Sequence, residues 1–227
     1  MVRKAFSAGA AQVVASAVAA TMALAWPSAR AQAGPEITGA AAVAGAVLWG
    51  RTMPPPEATA ALPPEVQRSL TEYRQREASF RSWLIPPPGA TREEERLFEQ
   101  RVGIERVVFC LFPRRDSARI ASIYALDVDV SIDWEGASDQ PRREAAFINR
   151  LLGDLPEPWL APYLNLIAAH RRLCASELDA AAPERERGAW RDDAQRQLAL
   201  AQDSGGPLIR VVAEYLATTA RPCTPSL

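Results

Sequence analysis

One histidine, three cysteines and a few acids on otherwise apolar faces are the side chains of this sequence that could do chemistry. His170 and Cys174 stand four residues apart, which puts both on one face of a helix, where two side chains can share a metal ion. Cys110 and Cys223 would have to complete a Cys3His zinc set, and nothing in their spacing brings them there. The expectation is therefore no bound metal and no cofactor: His170 is a half-buried core histidine hydrogen-bonded to a neighbouring helix, and Cys174 is apolar filling or half of a disulfide. A Cys174/His170 nucleophile–base dyad is poorly served too, because thiol and imidazole lie on adjacent turns without the electropositive opening that a reactive thiolate needs. With a single histidine there is no H-E-x-x-H zinc site, and no G-x-S-x-G elbow occurs. What remains is His170 as a lone acid or base, with Glu105, Glu135 and Arg171 as candidate companions.

Glu77 and Glu105 interrupt apolar helical faces. A buried carboxylate is either paired or carries a raised pKa suited to general-acid work, and the density of arginine favours pairing with Arg74, Arg101 or Arg106. Asp127, Asp129, Ser131, Asp133 and Glu135 imitate the start of an EF-hand loop. The sixth position is Ile132 where the turn needs glycine and the twelfth is Ser138 where a bidentate glutamate is needed, so an acidic solvated face is the expectation. Trp134, flanked by Asp133 and Glu135, is a candidate recognition anchor, and Trp134, Glu135, His170 and Arg171 together form the candidate binding set.

Residues 1–33 have the three parts of a secretory signal: basic Arg3 and Lys4, an apolar run to Trp26, and Ala31-Gln32-Ala33 as an A-x-A cleavage site before Gly34. Ala29-Arg30-Ala31 is an overlapping alternative. Export to the periplasm or outside the cell is the expectation, with the membrane involved only in export. The mature chain would keep 194 of the 227 residues, enough for one domain. Losing three arginine or lysine residues and no acid moves the net charge from −1 to −4, which leaves no electrostatic footprint for nucleic acid. Lys4 is the one lysine, so Schiff-base, pyridoxal-phosphate and P-loop chemistry are excluded from the mature chain. An oxidising compartment favours one disulfide among Cys110, Cys174 and Cys223, with three pairings open.

The elements that must position these groups are helical. Ile37 to Gly50 is too short to span a bilayer and reads as a short helix or extended segment on the core. Pro54, Pro55, Pro56, Pro63 and Pro64 then stiffen a spacer. Residues 34–64 are thus expected to precede a helical domain at 65–220, followed by a tail at 221–227. Within that domain Val66, Leu70, Tyr73, Phe80 and Leu84 mark a helix to Leu84. Thr91 and Glu94 form a capping-box signature for one whose buried face is Leu97, Phe98, Val102, Val108, Phe109 and Phe112. Leu126 to Glu135 alternates like a strand but lacks partners, so a helix to Gly136 is preferred over a minor β-ribbon of 107–112 with 127–133. Pro141 to Leu152 is a short helix. Pro158 to Ala180 is the central one, with Leu160, Tyr163, Leu164, Ile167, His170, Cys174 and Leu178 on one face and Arg171, Arg172 and Glu177 nearer the flank. Two more follow, with stripes at Trp190, Ala194, Leu198, Ala201 and at Leu208, Val211, Val212, Tyr215, Leu216. MPPPEAT and IPPPGAT, 32 residues apart, read as a coincidence of proline-rich linkers.

The fold class expected is all-α, a globular bundle or a short array of antiparallel hairpins. The function expected is a non-enzymatic exported binding or structural module with a protein or small-molecule partner. An exported hydrolase or lyase using His170 or a buried glutamate is the second reading, and a metal-binding protein through His170 and Cys174 the third.

Overall fold

The computed structural model describes residues 35–85, 88–114, 139–154 and 158–223. All regular structure among them is helical, in seven α-helices: α1 Pro35–Trp49, α2 Pro64–Ser79, α3 Arg92–Leu111, α4 Gln140–Asp154, α5 Ala161–Leu178, α6 Glu184–Ser204 and α7 Pro207–Thr218. Single 3-10 turns at Pro56–Thr59 and Pro158–Leu160 lead toward α2 and α5. These residues belong to one unit, Ala33–Leu227. No helix among the described residues is long and apolar enough to cross a membrane.

Helix α5 is the axis of the bundle. It packs against α4 on one side and α6 on the other, and also touches α7. Its buried set includes Tyr163, Leu164, Ile167, His170 and Cys174 of the expected stripe and also Leu166, Ala168, Ala169, Arg171, Leu173 and Ala175, so nearly the whole circumference is covered; Leu178, expected on the stripe, is 39% exposed at the helix end. A helix apolar almost all round has no solvent face to keep, and Arg171, expected at the flank, is only 1% exposed.

Helix α1 is the second central element. Val43, Ala44, Ala46, Val47 and Leu48 are buried to 1% exposure or less, and α1 packs on α3 and α7. The compact body therefore begins at α1, ahead of the residue-65 boundary. The proline-rich stretch after it is no free spacer. Met53, Thr59 and Leu62 are buried, and Arg74 of α2 grips the Pro54 carbonyl through Nε at 3.1 Å and Nη2 at 2.6 Å. Proline leaves carbonyl groups without a local ladder, and an arginine fork supplies the donors.

At the α1–α3 crossing the backbones nearly touch. Gly50 ends α1 with φ +64°, and a Cβ on Gly103 would lie 2.3 Å from the Gly50 carbonyl oxygen. Only glycine at both positions permits that approach. The carbonyl of Gly50 in turn accepts Arg106 Nη2–H at 2.7 Å, while Arg106 Nε pairs with Glu77 at 3.2 Å.

Helix α2 ends at Ser79 rather than Leu84, with Phe80 leaving the helical region at ψ 137°. Helix α3 starts with the expected capping box, Thr91 and Glu94 satisfying one another's backbone N–H groups. Its buried face is Gln100, Gly103, Ile104, Glu105, Val107, Val108 and Cys110; of the apolar residues expected there only Val108 is buried, while Leu97, Phe98, Val102, Phe109 and Phe112 are half-buried. Val107–Leu111 are helical, which leaves the alternative ribbon without its first strand. Residues 127–133, Trp134, Glu135 and the acidic run lie outside the described residues.

Candidate functional site

His170 lies at zero exposure just past the middle of α5. The helix delivers it inward because residues 163, 167, 170 and 174 share the face turned to α1 and the C-terminal tail. The edge of one ring meets the face of the other where His170 packs on Trp49, with centroids 5.1 Å apart and planes at 89°. Its Nδ1 is 2.6 Å from Nη1 of Arg171, and its Nε2 is 3.0 Å from the Pro222 carbonyl oxygen. These partners fix the tautomer. A guanidinium only donates and a carbonyl only accepts, so Nδ1 accepts and Nε2 carries the proton. Burial pushes the imidazole pKa well below its ordinary value, the Arg171 charge pushes the same way, and the hydrogen bond to Pro222 opposes them. His170 is held neutral.

Arg171 is the charged centre of the group. Its Nε donates to Glu144 Oε2 of α4 at 2.8 Å, and its guanidinium carbon sits 4.5 Å above the centre of the Trp49 ring. Glu144 is 4% exposed. A buried arginine is tolerable only when its charge and donors are matched; here a carboxylate, an imidazole nitrogen and an aromatic face from three elements do so. Nearby, Tyr163 donates its hydroxyl to the Val47 carbonyl at 3.3 Å, tying α5 to α1, and burial raises its pKa above the ordinary phenol range.

The cysteine pairing falls on Cys174 and Cys223, with Cα atoms 5.2 Å apart. Cys174 Sγ is also 3.4 Å from His170 Nε2. The tail is thus held twice within two residues, covalently at Cys223 and by the His170 hydrogen bond at Pro222. Cys110 is a free buried thiol in α3, its pKa pushed up to about 12, chiefly by burial and next by the charge of Glu77. Cys223 does come to His170, as the metal-binding reading required, but its sulfur and that of Cys174 are bonded to each other. Among the described residues no group of three unbonded ligand side chains could hold a metal.

Glu105 does not join His170 in this cluster; its described partners lie in the 80–85 loop. It is fully buried and accepts hydrogen bonds from the Ser82 hydroxyl and from Trp83 N–H, the latter at 2.8 Å. A buried carboxylate thereby fastens the strap after α2, leaving Trp83 and Ile85 exposed. Glu77 takes the arginine partner expected of it, Arg106. Neither Glu144 nor Trp49 stood out in the sequence. Glu144 lies among Arg142, Arg143 and Ala145, and its one available signal was its place four residues before Ile148 and seven before Leu151, which puts it beside the apolar face.

A second feature lies on the seam between α2 and α7. A cavity of about 260 Å3 opens between Ser69, Glu72 and Arg76 of α2, the end of α3, and the first turn of α7. Arg76 crosses it to donate to the Cys110 carbonyl at 2.6 Å, and its Nη2 makes a longer 3.5 Å contact with Glu72.

Comparison with protein-family models, with curated proteins and with solved structures finds no match to this chain.

Proposed function

We propose that this chain is an exported helical module of the periplasm or extracellular space that works by binding or by structural contact, with His170 as an architectural group. The observation that carries this reading is the state of the one histidine. It is fully covered, locked as one neutral tautomer between Arg171 and Pro222, and set beside a disulfide. A general acid or base must reach a reacting proton and titrate near the working pH. A covered imidazole with a depressed pKa is unsuited to that, and this weighs against the hydrolase or lyase reading through His170. The Cys174–Cys223 pair supports an oxidising compartment, in agreement with the signal-like residues 1–33.

The test is the intact mass of the protein recovered from the producing cell's envelope and medium, followed by alkylation after denaturation without reduction. The reading expects a chain starting at Gly34, two hydrogens lighter than the reduced mass, with one alkylated cysteine. An unprocessed chain in the cytosol with three reactive thiols would overturn it.

A further inference from the structure

The cavity at the α2–α7 seam has the features of a small-molecule site. Its floor is apolar, built from Leu111 and Phe112 after α3 and from Leu208 and Ile209 of α7, and its rim on α2 carries one charge of each sign, Glu72 and Arg76. The floor is a fixed surface: Phe112 is braced by the edge of Trp159 at 5.2 Å, and Leu208 and Ile209 are buried in the core. The volume, about 260 Å3, falls just under the range of drug-sized pockets, roughly 300–1,000 Å3. The occupant must therefore be small.

The rim selects its chemistry. Glu72 and Arg76 are adjacent turns of one helix, with Oε2 and Nη2 3.5 Å apart and side chains 63% and 29% exposed. An exposed pair at that separation contributes little by itself, so a ligand can replace the mutual contact at small cost. The Arg76 fork is oriented by the Cys110 carbonyl at Nη1, while among the described residues Nη2 has only the long contact with Glu72. A ligand that meets both charges needs a carboxylate and an ammonium group side by side. An α-amino acid has that pair on one carbon, and an apolar side chain on the same carbon would reach the floor.

We propose that the α2–α7 seam binds a free apolar α-amino acid, with its carboxylate on Arg76, its ammonium on Glu72 and its side chain on Leu111, Phe112, Leu208 and Ile209. This deepens the binding-module reading and rests on it. Specificity follows from the rim and the floor together: glycine lacks the side chain, and a blocked amino acid lacks one of the two charges.

The experiment is calorimetric titration of the purified full-length or mature chain with L-leucine and L-phenylalanine, and in parallel with glycine, N-acetyl-leucine and leucinamide. Saturable binding of leucine or phenylalanine is expected, weaker by about tenfold or more for each blocked derivative, the factor that one charge-assisted hydrogen bond supplies. R76M and E72Q should each weaken it by a similar factor. Ser69→Trp, which fills the cavity mouth from a half-buried position, should abolish it while leaving the helical circular dichroism unchanged. Should R76M fail to fold, E72Q and Ser69→Trp carry the test. The proposal is overturned by no saturable heat with either amino acid, by equal binding of the blocked derivatives, or by binding that survives Ser69→Trp. The titration reads binding alone, so its failure is separable from a failure of export, which is read from the mature mass.

Discussion

The burial of His170 has a consequence for stability against acid. In the unfolded chain the imidazole returns to a value near 6.5, whereas the folded chain holds it neutral well below that. The unfolded state therefore binds more protons between the two values, and stability rises with pH there. The contribution is fully present above the unfolded value and is lost as pH falls below it, at about 1.4 kcal/mol per pH unit until the folded imidazole itself protonates. From about pH 7.5 to about pH 5 this amounts to at most about 2 kcal/mol, the ceiling set by the unfolded value. Glu94 and Glu184, whose pKa values are lowered by Thr91 and by Arg191 with Arg187, lose their contributions only as pH drops through values beneath 4.5. The higher window thus belongs to His170, the one histidine of the chain. The assay is urea unfolding of the wild-type and H170Q proteins at both pH values, judged by the difference in pH dependence, because H170Q lowers stability at every pH. Wild-type protein should lose more than H170Q on acidification, by up to about 2 kcal/mol. Equal slopes, or an imidazole resonance titrating near 6.5 in the folded protein, would refute the reasoning.

Three further outcomes follow from the same geometry. Arg171→Met leaves the Glu144 carboxylate buried without its guanidinium and should cost about 3–5 kcal/mol by denaturant unfolding; the R171M/E144L double variant should recover a large part, and a double variant as unstable as the single would count against a direct pair. Reducing Cys174–Cys223, which closes a span of 49 residues, should lower stability by up to about 4 kcal/mol on the chain-entropy scale and raise hydrogen exchange at 219–223, whereas unchanged exchange would mean that His170 holds the tail alone. Gly103→Ala would push a methyl into the Gly50 carbonyl and should cost about 1–3 kcal/mol or more, visible as a lowered Tm; an unchanged Tm would show that α1 and α3 part easily.

Much of the helical order was legible because it rests on local rules. The capping box of Thr91 and Glu94 is a short-range device between residues three apart, and the stripes of α5, α6 and α7 are plain periodicity. What escaped was decided by tertiary partners. Helix α1 has hardly a polar residue, so periodicity could not show which side faces inward, and from Gly39 on the structure buries all of it but Ala42. Arg171 looked like a flank residue because arginine is ordinarily solvated; its burial depends on Glu144, 27 positions away, and on Trp49, in another helix. The proline run looked like a spacer because prolines break helices, but the same carbonyls that cannot join a helix are free to take Arg74. The face of α3 was misjudged because apolar residues lie on several sides of it, Ile104 and Val107 on the buried side and Val102 and Phe109 beside it, and Gly103 and Gln100 have no hydrophobic signature, although a glycine in mid-helix was itself the sign of a close crossing.

The packing of α1 on α7 joins the first described helix to the last. Contacts between such distant parts of a chain slow folding, because the loop between them must close before they form. Helix α1 finds part of its cover only when α7 has arrived, so the intervening helices must first hold together through local hairpins such as α4–α5 and α5–α6. Assembly of this chain should therefore end at the α1–α7 seam, and a species lacking α7 would expose the most apolar of the described helices to aggregation.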